Sequence, residues 1–449
     1  MRPRRVDRRI AAAQRIGRAA SIGLFLARRA SRTCGRGPIA PRRERPLTRS
    51  LALTSRPLQA LVDLGAMAHN LAEARRRAGT RPLWAVVKAN AYGHGIENAV
   101  RAFGAADGLA LLETDEAQRA RAAGWRKPIL LLEGVFDGRD LETVEALQLT
   151  VVVHCAEQIA MLERHAMRAP IAVYLKIDTG MNRLGFAASQ VAGARARLAA
   201  LPGVRIAALM THLANADRMD DAADDAADDA ADDAADDAVD HAADAAAHAA
   251  PAGAPTVGGQ RAALQALAPD WTGAWSVSNS AALFLHPARG PEFVRPGITL
   301  YGASPVRGVA AAALGLRAAM RLQARLLAVR ELASGECVGY GSLWRAARPS
   351  RIGVVACGYA DGYPRTAPAG MPVWAGGRRV PLVGRVSMDM LTIDLTGVDG
   401  LHPGSPVELW GANIPVDELA ERVGTIGYEL LSGLPARVRE AAQTDGAAS

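Results

Sequence analysis

The sequence predicts an α/β chain: a (β/α)8 barrel of the TIM type followed by a β-rich C-terminal domain. Short apolar runs recur at 83–87, 108–112, 128–132, 149–153, 171–177, 204–210, 274–277 and 292–294, with helical stretches between most of them. Polar residues close these runs: Lys88, Glu133, His154, Lys176 with Asp178, Thr211-His212, Ser278-Asn279-Ser280 and Arg295. In a barrel those positions converge on one rim, whereas an open sheet spreads them along an edge. Past residue 305 the period shortens to alternation, as in Met320 to Leu326, with Gly and Pro turns between runs, which marks the second domain.

In chain order, residues 1–55 form an Arg-rich N-terminal extension, expected to be disordered and set outside the folded part. Its one short apolar run, Ala20 to Ala27, is followed directly by Arg28-Arg29 without a clean small-residue cleavage site, so an early start codon or a plain extension fits better than a targeting segment. Gln59 to Leu64 reads as a strand, and Met67 to Ala78 as a helix with Gly79 as its stop. The barrel is assigned to 58–305. Leu141 to Leu147 and Glu157 to Met167 are examples of its helices. A low-complexity acidic insertion at 220–250 interrupts one unit. Its Asp-Asp-Ala-Ala repeat joins a poor helix former to like charges one turn apart, which predicts a solvated loop. The helix resumes at Gln260 to Leu267. The β-rich domain is assigned to 306–440, with Val338 to Gly341, Ile352 to Ala356, Pro381 to Val386 and Leu391 to Leu395 as further strands.

Composition bounds the function. At 449 residues, half of them apolar, the chain can bury a large core. No run is long enough for a transmembrane helix, so no membrane role is expected. The net charge of +8 is unevenly placed: residues 1–50 carry fifteen arginines against Asp7 and Glu44, while Asp217 to Asp244 hold thirteen aspartates against Arg218. The basic balance therefore belongs to a tail, and nucleic-acid binding by the folded part does not follow from it. The four cysteines, Cys34, Cys155, Cys337 and Cys357, have no metal-like spacing and read as free thiols in a reducing, cytoplasmic compartment. No metal is expected.

The chemistry centres on Leu83 to Gly95, where an apolar strand ends on Lys88, followed by Tyr92 and two glycines. A lysine closing a buried strand is easily desolvated, which favours the free amine a Schiff base needs. A lysine whose ammonium merely reaches past a strand end is the alternative, but the neighbouring hydroxyl and glycines suit an anionic group. Arg295 ends the last run, and Gly297 and Ile298 can offer backbone N–H groups near the usual barrel phosphate position, with Ser278 to Ser280 adding hydroxyls. A phosphorylated cofactor that also needs a reactive lysine is, most economically, pyridoxal 5'-phosphate.

From Leu58 to Arg437 the sequence closely resembles the alanine racemases. The resemblance rests on Ala85 to Gly95, Asp178 to Phe186, Thr211-His212, Ser278 to Ser280, Val294 to Ile298, Gly339 to Gly341, Gly358 to Tyr363 and Val386 to Asp389. It implies interconversion of L- and D-alanine, for wall synthesis or alanine breakdown, through a cofactor aldimine on Lys88. Lys88 then acts as base on one face of the substrate Cα, and Tyr340 of a second subunit in a head-to-tail homodimer acts on the other. Racemisation needs two groups flanking a planar carbanion, and a phenol near pKa 10 needs help to act at neutral pH. The resemblance supplies a chain from Arg295 through His212 to that tyrosine. It also puts Arg295 against the ring nitrogen, Arg183 and Met388 at the substrate, and Lys176, often carbamylated in such enzymes, beside Arg183. Tyr92, Ser280, Gly297, Ile298 and Tyr428 become the phosphate set. Asp389 lines the site, and Tyr359, Tyr363 and Arg365 narrow its mouth. A broader amino-acid racemase of the same fold is the alternative.

Overall fold

The computed structural model describes residues 55–218, 253–286 and 290–443. The N-terminal extension and the acidic insertion lie outside the described residues, so the expectations made for them find no structural counterpart here.

The first strand, β1 (Leu58–Asp63), leads into the helix Leu64–Ala78, whose N-cap Asp63 accepts from the Ala66 amide and whose stop is Gly79 at φ 60°. Eight parallel strands follow: β2 (Trp84–Val86), β3 (Gly108–Leu111), β4 (Ile129–Leu131), β5 (Thr150–Val153), β6 (Ile171–Lys176), β7 (Val204–Met210), β8 (Ala274–Ser276) and β9 (Glu292–Phe293). Each pairs with the next, and the ring closes through a parallel bridge between Leu83 and Val294, with Trp84 N–H donating to Val294 O and Val86 N–H to Pro296 O. All eight fall on the apolar runs of the sequence, because strands covered by helices on every side must be apolar along their whole length. Lys88 and Arg295, distant in sequence, thereby come to adjacent strand ends.

The second sheet is antiparallel apart from the β1–β18 pair. Its strands are β10 (Met320–Leu332), β13 (Ser350–Val355), β14 (Pro372–Ala375), β15 (Arg378–Val383), β16 (Leu391–Asp394), β17 (Pro406–Trp410) and β18 (Arg439–Gln443), joined by β1; the short pair β11 (Cys337–Val338) and β12 (Trp344–Arg345) stands apart from it. The order is β13-β16-β15-β14-β17-β10-β1-β18, and a β10–β13 pairing joins its first and sixth strands. Thus β1, at the start of the segment assigned to the barrel, pairs antiparallel with β10 and parallel with β18.

The strand expected over Val338 to Gly341 stops at Val338. Gly339 and Gly341 both take φ 74°, and Tyr340 rides between them on a 3-10 turn, Tyr340–Ser342. Two strands that carried no clean alternation, β14 and β17, complete the sheet. The main core spans both the barrel and the second sheet, with Trp410, Tyr174, Tyr301, Tyr363 and Phe103 among its largest fully buried side chains, and Val338, Ile352 and Val383 form a small separate cluster. No helix among the described residues is long and apolar enough to cross a membrane.

Candidate active site

Immediately after β2 the backbone makes a left-handed turn. Ala89, Asn90, Ala91 and Tyr92 all have φ between 52° and 55°, and Gly93 follows at 77°. Such a conformation costs a residue other than glycine roughly 1–2 kcal/mol each. Strain of this kind persists only where the surroundings over-determine it, and it concentrates at functional sites. The turn carries Lys88 at its start and Tyr92 at its end.

Lys88 is half-buried, and burial, then the nearby charge of Arg183, pulls its amine below the usual lysine range; Glu133 and Glu116 oppose this. Lys176, at the end of β6 and 6 % exposed, is brought down to about 8 by burial, Arg295 and Arg183. Burial holds the His212 imidazole well below its ordinary value, and the charges of Arg295, Lys176, Arg183 and Lys88 add to the effect. These mutual influences gather Lys88, Lys176, Arg183, His212 and Arg295 at one rim. The rim is electropositive, which is what an anionic ligand requires.

Arg295 is buried, and burial brings it down to about 10, so it stays protonated at neutral pH. Its guanidinium donates to Ser276 Oγ (2.6 Å), Thr211 O (3.0 Å) and Val277 O (3.1 Å), bracing the ends of β7 and β8. Thr211 immediately precedes His212, so within this chain the arginine holds the backbone beside the imidazole and directs these hydrogen bonds elsewhere than to the ring.

Beside Arg295 the chain forms a cradle. Gly297 N–H donates to Ser280 Oγ (2.7 Å), and Ile298 opens the 3-10 helix Ile298–Tyr301. A Cβ on Gly297 would meet Tyr92 Oη at 2.5 Å, so only glycine lets that hydroxyl approach. The Tyr92 ring stacks on Tyr301 (centroids 4.7 Å) and lies 6.0 Å from Tyr428, while Tyr301 Oη donates to Val86 O (2.9 Å). Tyr92, Ser280, Gly297, Ile298 and Tyr428 are therefore one neighbourhood, as the motifs imply. Burial raises the phenols of Tyr92 and Tyr428, so both stay neutral.

Sequence reasoning missed the residues behind this rim. Gln260 donates to Thr179 Oγ1 and His212 O and accepts from Ala214 N–H, tying the helix Val257–Ala266 to the loops after β6 and β7. Ser276, Tyr301 and Glu116 act likewise. Each lies far in sequence from what it touches, and only the serine, two residues before Ser278, carried a local hint.

Tyr340, Met388 and Asp389 stand elsewhere, in loops of the second domain: Tyr340 between β11 and β12, Met388 and Asp389 between β15 and β16. Tyr340 is 73 % and Met388 53 % exposed, with Leu343 and Met390 exposed nearby in sequence and Tyr359 exposed as well. Asp389 pairs with Arg437 (2.5 Å), which also holds the buried Asp361 (2.7 Å). Tyr363 is buried, whereas Tyr359 and Arg365 line a cleft with it. Among the described residues, Tyr340 makes no hydrogen bond or ring contact with the Lys88 rim.

Burial of neutral histidine has a measurable consequence. His94 is fully buried, its Nδ1 bonded to Tyr92 O, and desolvation lowers it to about 4. Between that value and its unfolded value near 6.5 the unfolded chain binds more protons, so stability rises with pH and is lost as pH falls through this window. For His94 the loss approaches roughly 3 kcal/mol by pH 4, and His212 acts in the same sense. Urea midpoints measured from pH 7.5 to 4.5 should therefore decline; a flat profile contradicts the assignment of neutral histidines.

The family model for the N-terminal domain of alanine racemase matches residues 62–305, and that for its C-terminal domain residues 319–442. An alanine racemase of Janthinobacterium sp. (strain Marseille) is 46% identical over 384 residues, covering 86% of this chain and 98% of the relative. That of Ralstonia nicotianae is 45% identical over 399 residues, covering 88% and 97%. Among solved structures, the biosynthetic alanine racemase from Pseudomonas aeruginosa superposes with a TM-score of 0.75 at 44% identity, over 86% of this chain and 99% of that one. With both domains matched in order and the motif residues of the barrel gathered at one rim, the chain belongs to the alanine racemase family.

Proposed function

We propose that this chain interconverts L- and D-alanine with pyridoxal 5'-phosphate, in the cytoplasm, as a homodimer whose two subunits share each site. The observation that carries the reading is a lysine with a depressed amine pKa at the end of the first barrel strand, set beside a buried arginine and a glycine-serine-tyrosine cradle.

The residues fit the cofactor. The cradle whose Cβ space is filled by Tyr92 Oη suits a phosphate, which Tyr92, Ser280, Gly297, Ile298 and Tyr428 would hold. Arg295 would face the ring nitrogen; because a guanidinium keeps its proton, that nitrogen is left unprotonated. Bound, the cofactor supplies the electron-accepting system that acidifies the substrate Cα–H. Lys88, with its amine pKa lowered by burial, takes or returns the proton on one face of Cα. Tyr340 of a second copy serves the other face, since one group cannot reach both sides of a planar carbon. The exposure of Tyr340, Leu343, Met388 and Met390 on a single chain supports that second copy. Arg183 binds the substrate, and Met388 with Asp389 lines the site from the second copy. His212, neutral and enclosed, would face the phenol, with Arg295 acting on it through its charge and through the Thr211 carbonyl that the guanidinium holds. Lys176 at about 8 offers the neutral amine that carbamylation requires, and the resulting anion would pair with Arg183. The free thiols of Cys155, Cys337 and Cys357 suit a reducing compartment.

The test is incubation of the purified protein with L-alanine and with D-alanine, the product enantiomer being resolved chromatographically. Equal mixtures from both sides are expected. Turnover of serine, lysine or arginine at rates comparable to alanine would favour the broad-specificity racemase instead, and no inversion of alanine overturns the reading.

A further inference from the structure

The left-handed turn after β2 has one residue whose every polar atom is engaged. Asn90 N–H donates to Glu116 Oε1 (2.7 Å), and its carbonyl accepts from Gly95 N–H (2.8 Å). Its side-chain Oδ1 accepts from Arg119 Nη2 (2.9 Å) and from Ile96 N–H (3.3 Å), while Nδ2 donates to Glu440 Oε1 (2.9 Å). These partners come from three elements: the helix Thr114–Ala122 after β3, the helix Ile96–Ala102, and the C-terminal strand β18. Arg119 is itself fixed by a bidentate pair with Glu97 (2.7 and 3.0 Å). Glu116 is buried and its second oxygen has no hydrogen bond, and the bond to the Asn90 amide is the first of the backbone contacts that hold its carboxylate.

The need for such a clamp follows from the backbone. Left to its preference, an L-residue turn takes φ near −63°, more than about 100° from the values of Ala89 to Tyr92. Relaxation in that direction would swing Tyr92 away from Gly297 and re-aim Lys88. Asparagine is the residue other than glycine that best tolerates this region, and here its amide also ties the turn to its surroundings.

We propose that Asn90 is a positioning residue for the reaction, holding the turn Ala89 to Tyr92 left-handed so that Lys88 and Tyr92 serve one pocket, with Glu440 as its cross-domain anchor. The inference rests on the assignment of Lys88 and Tyr92 to the cofactor site. It also gives the second domain a part in the barrel's own chemistry, through Glu440 of β18.

Three variants test it in the full-length protein: Asn90→Gly, Asn90→Asp, and Asn90→Asp combined with Glu440→Gln. Asn90→Gly accepts the backbone conformation without strain and keeps the bond to Glu116, so it folds while losing the side-chain clamp. Asn90→Asp keeps both acceptor contacts but sets a carboxylate against Glu440. The double variant reverses the donor and acceptor of that pair, the new amide at position 440 donating to the new carboxylate at position 90. The readouts are half-saturation by pyridoxal phosphate, followed by its absorbance near 420 nm, kcat and KM for L-alanine, and the thermal midpoint. Asn90→Gly and Asn90→Asp are expected to lower kcat and cofactor affinity by roughly 10- to 100-fold with KM little changed, as displacement of reacting groups does. The double variant is expected to recover most of the loss. Parental kcat and cofactor affinity in Asn90→Gly, or a double variant no better than Asn90→Asp, overturns the inference. Borohydride fixation of the cofactor to the Lys88 peptide of the parent protein separates the two levels: its absence overturns the site assignment itself, whereas fixation together with an unimpaired Asn90→Gly overturns only the clamp.

Discussion

Lys88→Ala is expected to lower kcat for alanine by a factor on the order of 10⁴, because it removes both the covalent anchor of the cofactor and the base on one face of Cα. The cofactor absorbance near 420 nm should vanish with it. Stability should not fall. The amine is desolvated and set against Arg183, so its removal relieves repulsion that the fold now sustains. Added methylamine, a small amine able to occupy the vacated space, should restore part of the turnover. A variant that keeps the absorbance and the greater part of its kcat would mean that another amine carries the cofactor.

Tyr340→Phe is expected to cost roughly 10²- to 10⁴-fold in kcat in both directions, the range of a single positioned acid or base. Cofactor absorbance should be unchanged, since Tyr340 stands apart from the cradle of its own chain. In heavy water the variant should still exchange the Cα hydrogen of the enantiomer whose proton faces Lys88, without inverting it. Mixing it with Lys88→Ala tests the shared site directly. In a statistical mixture half of the dimers are mixed, and each of these carries one intact site, so about a quarter of the parental activity returns. If each subunit worked with its own lysine and tyrosine, mixing would restore nothing, and racemisation by Tyr340→Phe at the parental rate would remove the phenol from the reaction altogether.

The barrel was legible in the sequence because its strands are buried from every side, and a continuous apolar run closed by a polar residue marks both the strand and its catalytic end. Lys88, Lys176, His212, Ser280 and Arg295 were found in this way. The handedness of the turn after β2 was not legible: Ala89, Asn90 and Ala91 have no composition that demands positive φ, and what imposes it comes from Glu116 and Glu440, remote in sequence. Tyr301, Gln260 and Ser276 escaped for the same reason. In the second domain β14 and β17 lack a clear period, and the strand expected through Tyr340 is cut at Gly339, whose positive φ converts an alternating pattern into an exposed turn. The motif through Tyr340 does not depend on that backbone, because a residue's identity and spacing are the same on a strand as on a turn.

The pairing of β1 with β10 on one edge and β18 on the other has a consequence for biogenesis. The first of the described strands to leave the ribosome finds its neighbours only after Met320 and Arg439 have been made. At about 5–20 residues per second that wait is on the order of a minute for β18. The barrel, whose strands pair in succession, can assemble during synthesis, whereas the second sheet closes only once β18 has emerged. Nascent chains arrested before residue 439 should therefore expose the edge of β1, the interval in which a chaperone would be most useful to this protein.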